Sequence, residues 1–152
     1  AVWVGTGEGN PRNSAGVGAG VYRTLDGGRT WRLMGLERSE RIHRIVVHPH
    51  DPDTVYVMPL EPETRTCPGS APAIWRSEDG GESWRRLSKG LPKKESYFTV
   101  LRDGIDIDRL SSPAVYFGTT TGQLWIGRDG GEQWECLFDS LPPIHNVKVA
   151  IV

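Results

Sequence analysis

The sequence predicts an all-β chain built of propeller blades, and three observations carry that expectation. An Asp-Gly-Gly motif recurs three times, as TLDGGRTW (24–31), SEDGGESW (77–84) and GRDGGEQW (127–134). Around each copy, short segments rich in β-branched and aromatic residues follow one another in the same order. Nineteen glycines and eleven prolines interrupt the chain often, which suits many short strands better than helices.

The first unit carries VWVGT (2–6), GVYRTL (20–25) and RTWRLM (29–34). The second carries RIVVH (44–48), TVYVM (54–58), AIWRSE (73–78) and SWRRLS (83–88). The third carries YFTVLR (97–102), AVYFGT (114–119), QLWIGR (123–128) and QWECLF (133–138), and VKVAIV (147–152) follows it. Each approaches the ~5–6 residues of a typical strand and is bounded by Gly, Pro, Asp or Ser. DRLSSPA (108–114) offers one helical turn at most. The motif aspartates Asp26, Asp79 and Asp129 stand 53 and then 50 residues apart. Such a period is that of four-stranded blades, whereas a β-sandwich of the same strand count would not repeat itself. The blade units run over about residues 1–41, 42–95 and 96–152.

Physical chemistry accounts for the motif without a substrate. A tight hairpin needs positive φ, which Gly28, Gly81 and Gly131 and the glycine before each supply. The aspartate accepts hydrogen bonds from turn amides, and the hydroxyl two residues earlier, Thr24 or Ser77, completes the network. Trp31, Trp84 and Trp134 then open the fourth strand and are expected to fill the wedge between neighbouring sheets. The third copy departs from the others, with Gly127 in the hydroxyl position.

These repeats resemble the Asp-box, or BNR, family of propeller repeats, whose motif is Ser/Thr-x-Asp-x-Gly-x-x-Trp. That family includes sialidases, some endoglucanases and the sortilin-like, Vps10-type domains. From about residue 42 onward, HPHDPDTVYV, GLPKKESYFTVLRDGIDIDRLSSPAVYFGTT and DSLPPIHNVKV look like sialidase-like, BNR-repeat glycosyl hydrolases. The opening VWVGTGEGNPRNS looks more like the Vps10-type branch, and a recombined or engineered chain would show such a mixture. The resemblance implies that the motifs lie at the blade periphery, away from a sialidase active site. The motif therefore speaks to fold more than to chemistry.

Eighteen basic residues balance nineteen acidic ones, and no basic run exceeds two residues, so a nucleic-acid surface is not expected. No stretch reaches the ~18 apolar residues of a membrane helix, and no signal-like segment opens the chain. A cytoplasmic location is expected on that ground and on the two cysteines. Cys67 and Cys136, 69 residues apart, lack metal-ligand spacing and read as free thiols. Neither a cofactor nor a metal is expected. GTGEGN is not followed by a helix that would cradle phosphate. Asp103, Asp106 and Asp108 lack the alternating donors and terminal Glu of a helix-loop-helix calcium site.

The strand cycle sorts the loops onto two faces. The motif hairpins share one with the first-to-second turns, HPHDPDT and RDGIDIDRLSSP. The opposite face, where the resemblance places propeller ligands, carries loops 5–20 and 59–72, the TTTG turn and the entries to the innermost strands. Candidate ligand residues there are Asn10, Arg12, Arg41, His43, Arg65, Thr119 and His145. Each has a plainer reading: Glu61, Glu63 and Arg65 as a solvated face, His43 and His145 as local backbone contacts. A glycosidase needs two carboxyls about 5–5.5 Å or about 6.5–9.5 Å apart. Glu8 and Glu61 are the candidate pair, and Tyr97 is the candidate nucleophile of a sialidase-type site. No anchored triad is visible, so the balance leans away from an enzyme.

The chain begins in a second strand and ends in a first strand, so VKVAIV can complete the sheet that VWVGT opens. Three blades are too few for a ring, since propellers usually have 4–8. Left open, the end blades expose strand edges and an apolar sheet face. A head-to-tail homodimer gives six blades with two-fold symmetry, whereas a trimer gives nine. The expectation is thus a self-assembling half-propeller, a scaffold or binding module. The alternatives are a fragment of a sialidase-like or Vps10-like propeller recognising glycans or peptides, and a glycoside hydrolase completed across a dimer.

Overall fold

The computed structural model describes residues 1–8, 16–60, 74–93 and 99–150. Among these residues eleven strands form three antiparallel sheets, each a meander in chain order. The first holds β1 (Val2–Gly5), β2 (Val21–Thr24) and β3 (Arg32–Leu33). The second holds β4 (Arg41–Val47), β5 (Val55–Leu60), β6 (Ile74–Ser77) and β7 (Arg85–Leu87). The third holds β8 (Ile105–Ile107), β9 (Val115–Gly118), β10 (Leu124–Arg128) and β11 (Gln133–Phe138). One 3-10 turn, Asp129–Gly131, separates the last two strands. Among the described residues, no helix is long and apolar enough to cross a membrane.

The β-branched and aromatic runs form strands that pack face to face across two seams, with the second blade covered on both faces. Three of the four residues in both β6 and β9 are buried. The core accordingly lies between sheets rather than within one. Val21, Met34, Ile42, Val55 and Val57 fill the first seam, with Trp3 and Trp84 packed against them. Tyr56, Ile74, Leu87, Ile105, Phe117 and Trp134 lead the second. Burying a side chain such as Phe117 contributes about 1.5–3 kcal/mol.

Two elements differ from the sequence expectation. The inner strand of the third blade is Ile105–Ile107, while the described part of YFTVLR, 99–102, is not a strand. Ile105 and Ile107 alternate with Asp106 and pair with Phe117 and Val115, so the period-two signal sat inside an apparently acidic turn. The true turn is short, and the buried Asp108 closes it. Its carboxylate accepts from Leu110 N (3.0 Å), Ala114 N (3.2 Å) and Tyr116 OH (3.2 Å). The other difference is VKVAIV, whose described residues 147–150 are not a strand. They run beside β8, where Val147 N donates to Asp103 O (2.9 Å) and Val149 N to the Asp106 carboxylate (3.1 Å).

Candidate binding face and blade seams

The Asp-Gly-Gly hairpins are closed hydrogen-bond units. In the second, Ser77 Oγ accepts from Gly81 N (2.7 Å) and donates to Asp79 (2.8 Å). The same Asp79 oxygen accepts from Ser83 N (2.9 Å), and the other oxygen accepts from Ser83 Oγ (2.6 Å). The first hairpin repeats this with Thr24, Asp26, Gly28 and Thr30. Ser83's hydroxyl, then its N–H and Ser77's hydroxyl, hold Asp79 down to about 2. Thr30's hydroxyl leads the same set of donors in keeping Asp26 well below the usual carboxylate range. Both oxygens of each carboxylate are thus engaged inside the turn, which holds them in the ionised form.

The third hairpin is built differently. Gly127 stands where a side chain would run into the Trp134 ring, 2.8 Å from a built Cβ. The Trp134 ring thus lies against the position from which the hydroxyl side chain of the other copies departs. Asp129 meanwhile takes a left-handed φ of 51° within the 3-10 turn.

The tryptophans act at the seams. Trp84 donates its indole N–H to Met34 O of the first blade. Trp134, 2% exposed, packs edge-on to Phe117 and donates its backbone N–H to Lys89 O of the second blade (2.9 Å). Trp31 departs from the expected core position: it is 45% exposed and turns its indole onto Gly28 O of its own hairpin (3.1 Å). No described blade precedes it, so it has no wedge to fill.

Polar ties run along the same seams. Arg23 donates to Gly80 O (2.9 Å), and the equivalent Arg76 donates to Gly130 O (2.8 Å) and Glu132 (2.6 Å). Arg32 forms a two-pronged pair with Glu82 (2.6 and 2.7 Å), and Arg85 pairs in the same way with Glu132. Arg85, then Arg76, lower Glu132 to about 2. Gly80 N donates to Asp53 O (2.9 Å), so the 48–54 turn lies beside the motif hairpin, as the strand cycle requires. Sequence reading missed these ion pairs. Their signal was positional: the residue after one motif tryptophan pairs with the residue two before the next.

The opposite face gathers the inner strands. Thr6 ties loop 6–20 to β4, accepting Ile42 N at its carbonyl (3.0 Å) and donating its hydroxyl to Gly20 O (2.7 Å). His43 Nδ1 lies 2.9 Å from Val100 O, and Arg44 pairs with Asp103 (3.2 Å). A cleft of about 510 Å³ opens beside β1 and β4, lined by Trp3, Gly5, Glu8, His43, Arg44 and Arg102 among others.

Of the candidate ligand residues, Arg41 heads β4 half-buried and His43 lines the cleft while holding a backbone carbonyl. Thr119 is fully buried and is held within the 119–123 turn by Gln123 (2.6 Å). His145 is exposed, on the stretch before Val147. Glu8 borders the cleft. Asn10, Arg12, Glu61, Arg65 and Tyr97 lie outside the described residues, as does Cys67. Cys136 is a half-buried free thiol, and burial pushes it above its ordinary value. Among the described residues, no group of three or more His, Cys, Asp or Glu side chains could hold a metal ion.

No family model matches this chain, and no curated protein matches it. Among solved structures it is similar to one described as "YCF48 bound to D1 peptide", at 22% identity and a TM-score of 0.55. The likeness covers 85% of this chain and 38% of that one. That neighbour is a β-propeller, and the likeness shows the propeller-type fold.

Proposed function

We propose that the chain is a binding scaffold, half of a six-bladed propeller that a second copy completes head to tail. The observation that supports this most is the state of the inner edge. Among the described residues β1 pairs with β2 alone, and 147–150 lies past β8, where the inner strand of a following blade belongs. An open strand edge is a template for an added strand. VKVAIV alternates apolar residues as an inner strand requires. Light scattering on the sized chain tests this: the expected mass is twice 16.8 kDa, and removal of 147–152 should return it to one copy. A well-folded monomer at high concentration overturns the reading.

A second reading is favoured by the cleft beside the β1 edge. There the chain would take an extended peptide by strand addition, in keeping with a structural neighbour that binds a peptide. The Vps10-type resemblance of residues 2–14 points the same way, and the sialidase-like resemblance points to a glycan. Calorimetric titration with a synthetic VKVAIV peptide separates the two uses of the edge. Binding by the shortened chain and not by the full dimer places strand addition at β1. A glycosidase completed across the dimer would turn over aryl glycosides or sialosides and lose that activity in Glu8→Gln and Glu61→Gln.

A further inference from the structure

We propose that the open faces of the first and third blades form one more seam, made with a second copy of this chain and recognised by Glu135 meeting Arg29. The inference rests on the head-to-tail reading above and names the residues that would recognise the partner.

The two internal seams share one pattern. The residue after each motif tryptophan reaches forward, and the residue two before the next motif tryptophan receives it: Arg32 to Glu82, then Arg85 to Glu132. The next step begins at Glu135, and the position that would receive it in a first blade is Arg29. The sign has reversed at both ends together. Glu135 would repel a Glu in the receiving position, as Arg29 would repel an Arg reaching from behind. Glu135 and Arg29 are therefore matched to each other and to neither half of an internal pair.

Shape follows charge. Met34 and Leu87, each three residues after a motif tryptophan, are 5% and 2% exposed beneath the following blade. Their counterpart Leu137 is 36% exposed, facing the side on which Trp31 of another copy would arrive. The hairpin glycines repeat the asymmetry. A Cβ built on Gly81 comes within 2.8 Å of Trp3, and one on Gly131 within 2.9 Å of Leu87, both in the preceding blade. Gly27 has nothing within 4 Å, and Gly28 has only Trp31 of its own hairpin. The first hairpin thus carries the close-approach glycines of a seam with no blade against it. Two features weigh on the strength of the junction. Ile126 stands where Arg23 and Arg76 make their backbone ties, so that bond is not repeated. Glu135 also has a loose pair with Arg128 at 3.5 Å, both side chains about 60% exposed, and that pair would have to yield.

The test uses the full chain, Glu135→Arg, Arg29→Glu, and an equimolar mixture of the two variants, in analytical ultracentrifugation at low and high salt. Each variant alone should place like charges at both junctions of a two-fold dimer and weaken association roughly tenfold. The mixture should regain wild-type association, because a heterodimer pairs opposite charges at both junctions. Added salt should weaken the wild type and narrow the gap to the variants. Circular dichroism melts check that each variant is folded. A wild-type dimer indifferent to both substitutions, or a mixture that stays dissociated, overturns the Arg29–Glu135 seam and leaves the head-to-tail reading standing. A monomeric wild type overturns that reading and the seam with it.

Discussion

Ser77 shows how much one hydroxyl holds. It is buried, satisfies the Gly81 N–H and orients Asp79. Ser77→Ala leaves that buried amide without its acceptor, and the stability measured by urea unfolding should fall by about 1–3 kcal/mol. Asp129→Ala should cost less, about 1 kcal/mol, and only through the left-handed φ of 51° that alanine tolerates less well than aspartate. Asp129 sits in a turn closed by the backbone bond from Glu132 N to Arg128 O (3.1 Å) rather than by a hydroxyl network. The second copy thus leans on its side chains for closure, and the third on its backbone. Gly127→Ser makes the point from the other side. It restores the hydroxyl of the repeat, yet its Cβ would lie 2.8 Å from the Trp134 ring and 2.9 Å from Gly131 Cα. Overpacking of this kind costs about 1–3 kcal/mol, so a substitution toward the repeat pattern should lower the melting temperature.

At the scale of the blade, the seams matter more than the sheets. Glu132 joins the second and third blades through Arg85 and Arg76, and its folded value of about 2 lies below its ordinary 4.5. A carboxylate lowered in the folded state contributes stability that is full above pH 4.5 and is lost as pH falls towards 2. Glu132→Gln should therefore show a shallower loss of urea-unfolding stability across that window. The difference should be on the order of 1 kcal/mol or less, because the side chain is 45% exposed and screened by water. Asp26 and Asp79 keep part of the slope in either protein. Gly81→Ala tests the seam sterically. It adds a methyl 2.8 Å from Trp3 at a φ of 95°, so it should destabilise the fold and disturb tryptophan fluorescence. Gly27→Ala has the same adverse φ of 75° and no neighbouring atom to meet, so it should cost less in a single copy.

For the whole molecule, three blades share two seams, and the face that a third seam would cover is apolar at Trp31, Leu33 and Leu137. Sizing the intact chain and the chain without 147–152 measures whether that face and the β1 edge act together. Loss of association on removal of the strand, with tryptophan emission shifting to the red as Trp31 meets water, is the expected outcome.

The repeat period, the strand syntax and the hairpin chemistry were legible from the residues alone. The hairpin chemistry depends on partners a few positions away, Ser77 on Gly81 and Asp26 on Thr30. The inner strand of the third blade was missed because a three-residue Ile-Asp-Ile strand between acidic residues looks like a turn. What the tertiary structure alone decided is how the three tryptophans differ and which charges face which across a seam. Those outcomes are set by neighbours about fifty residues distant along the chain, at interfaces that exist only once one blade has packed against another.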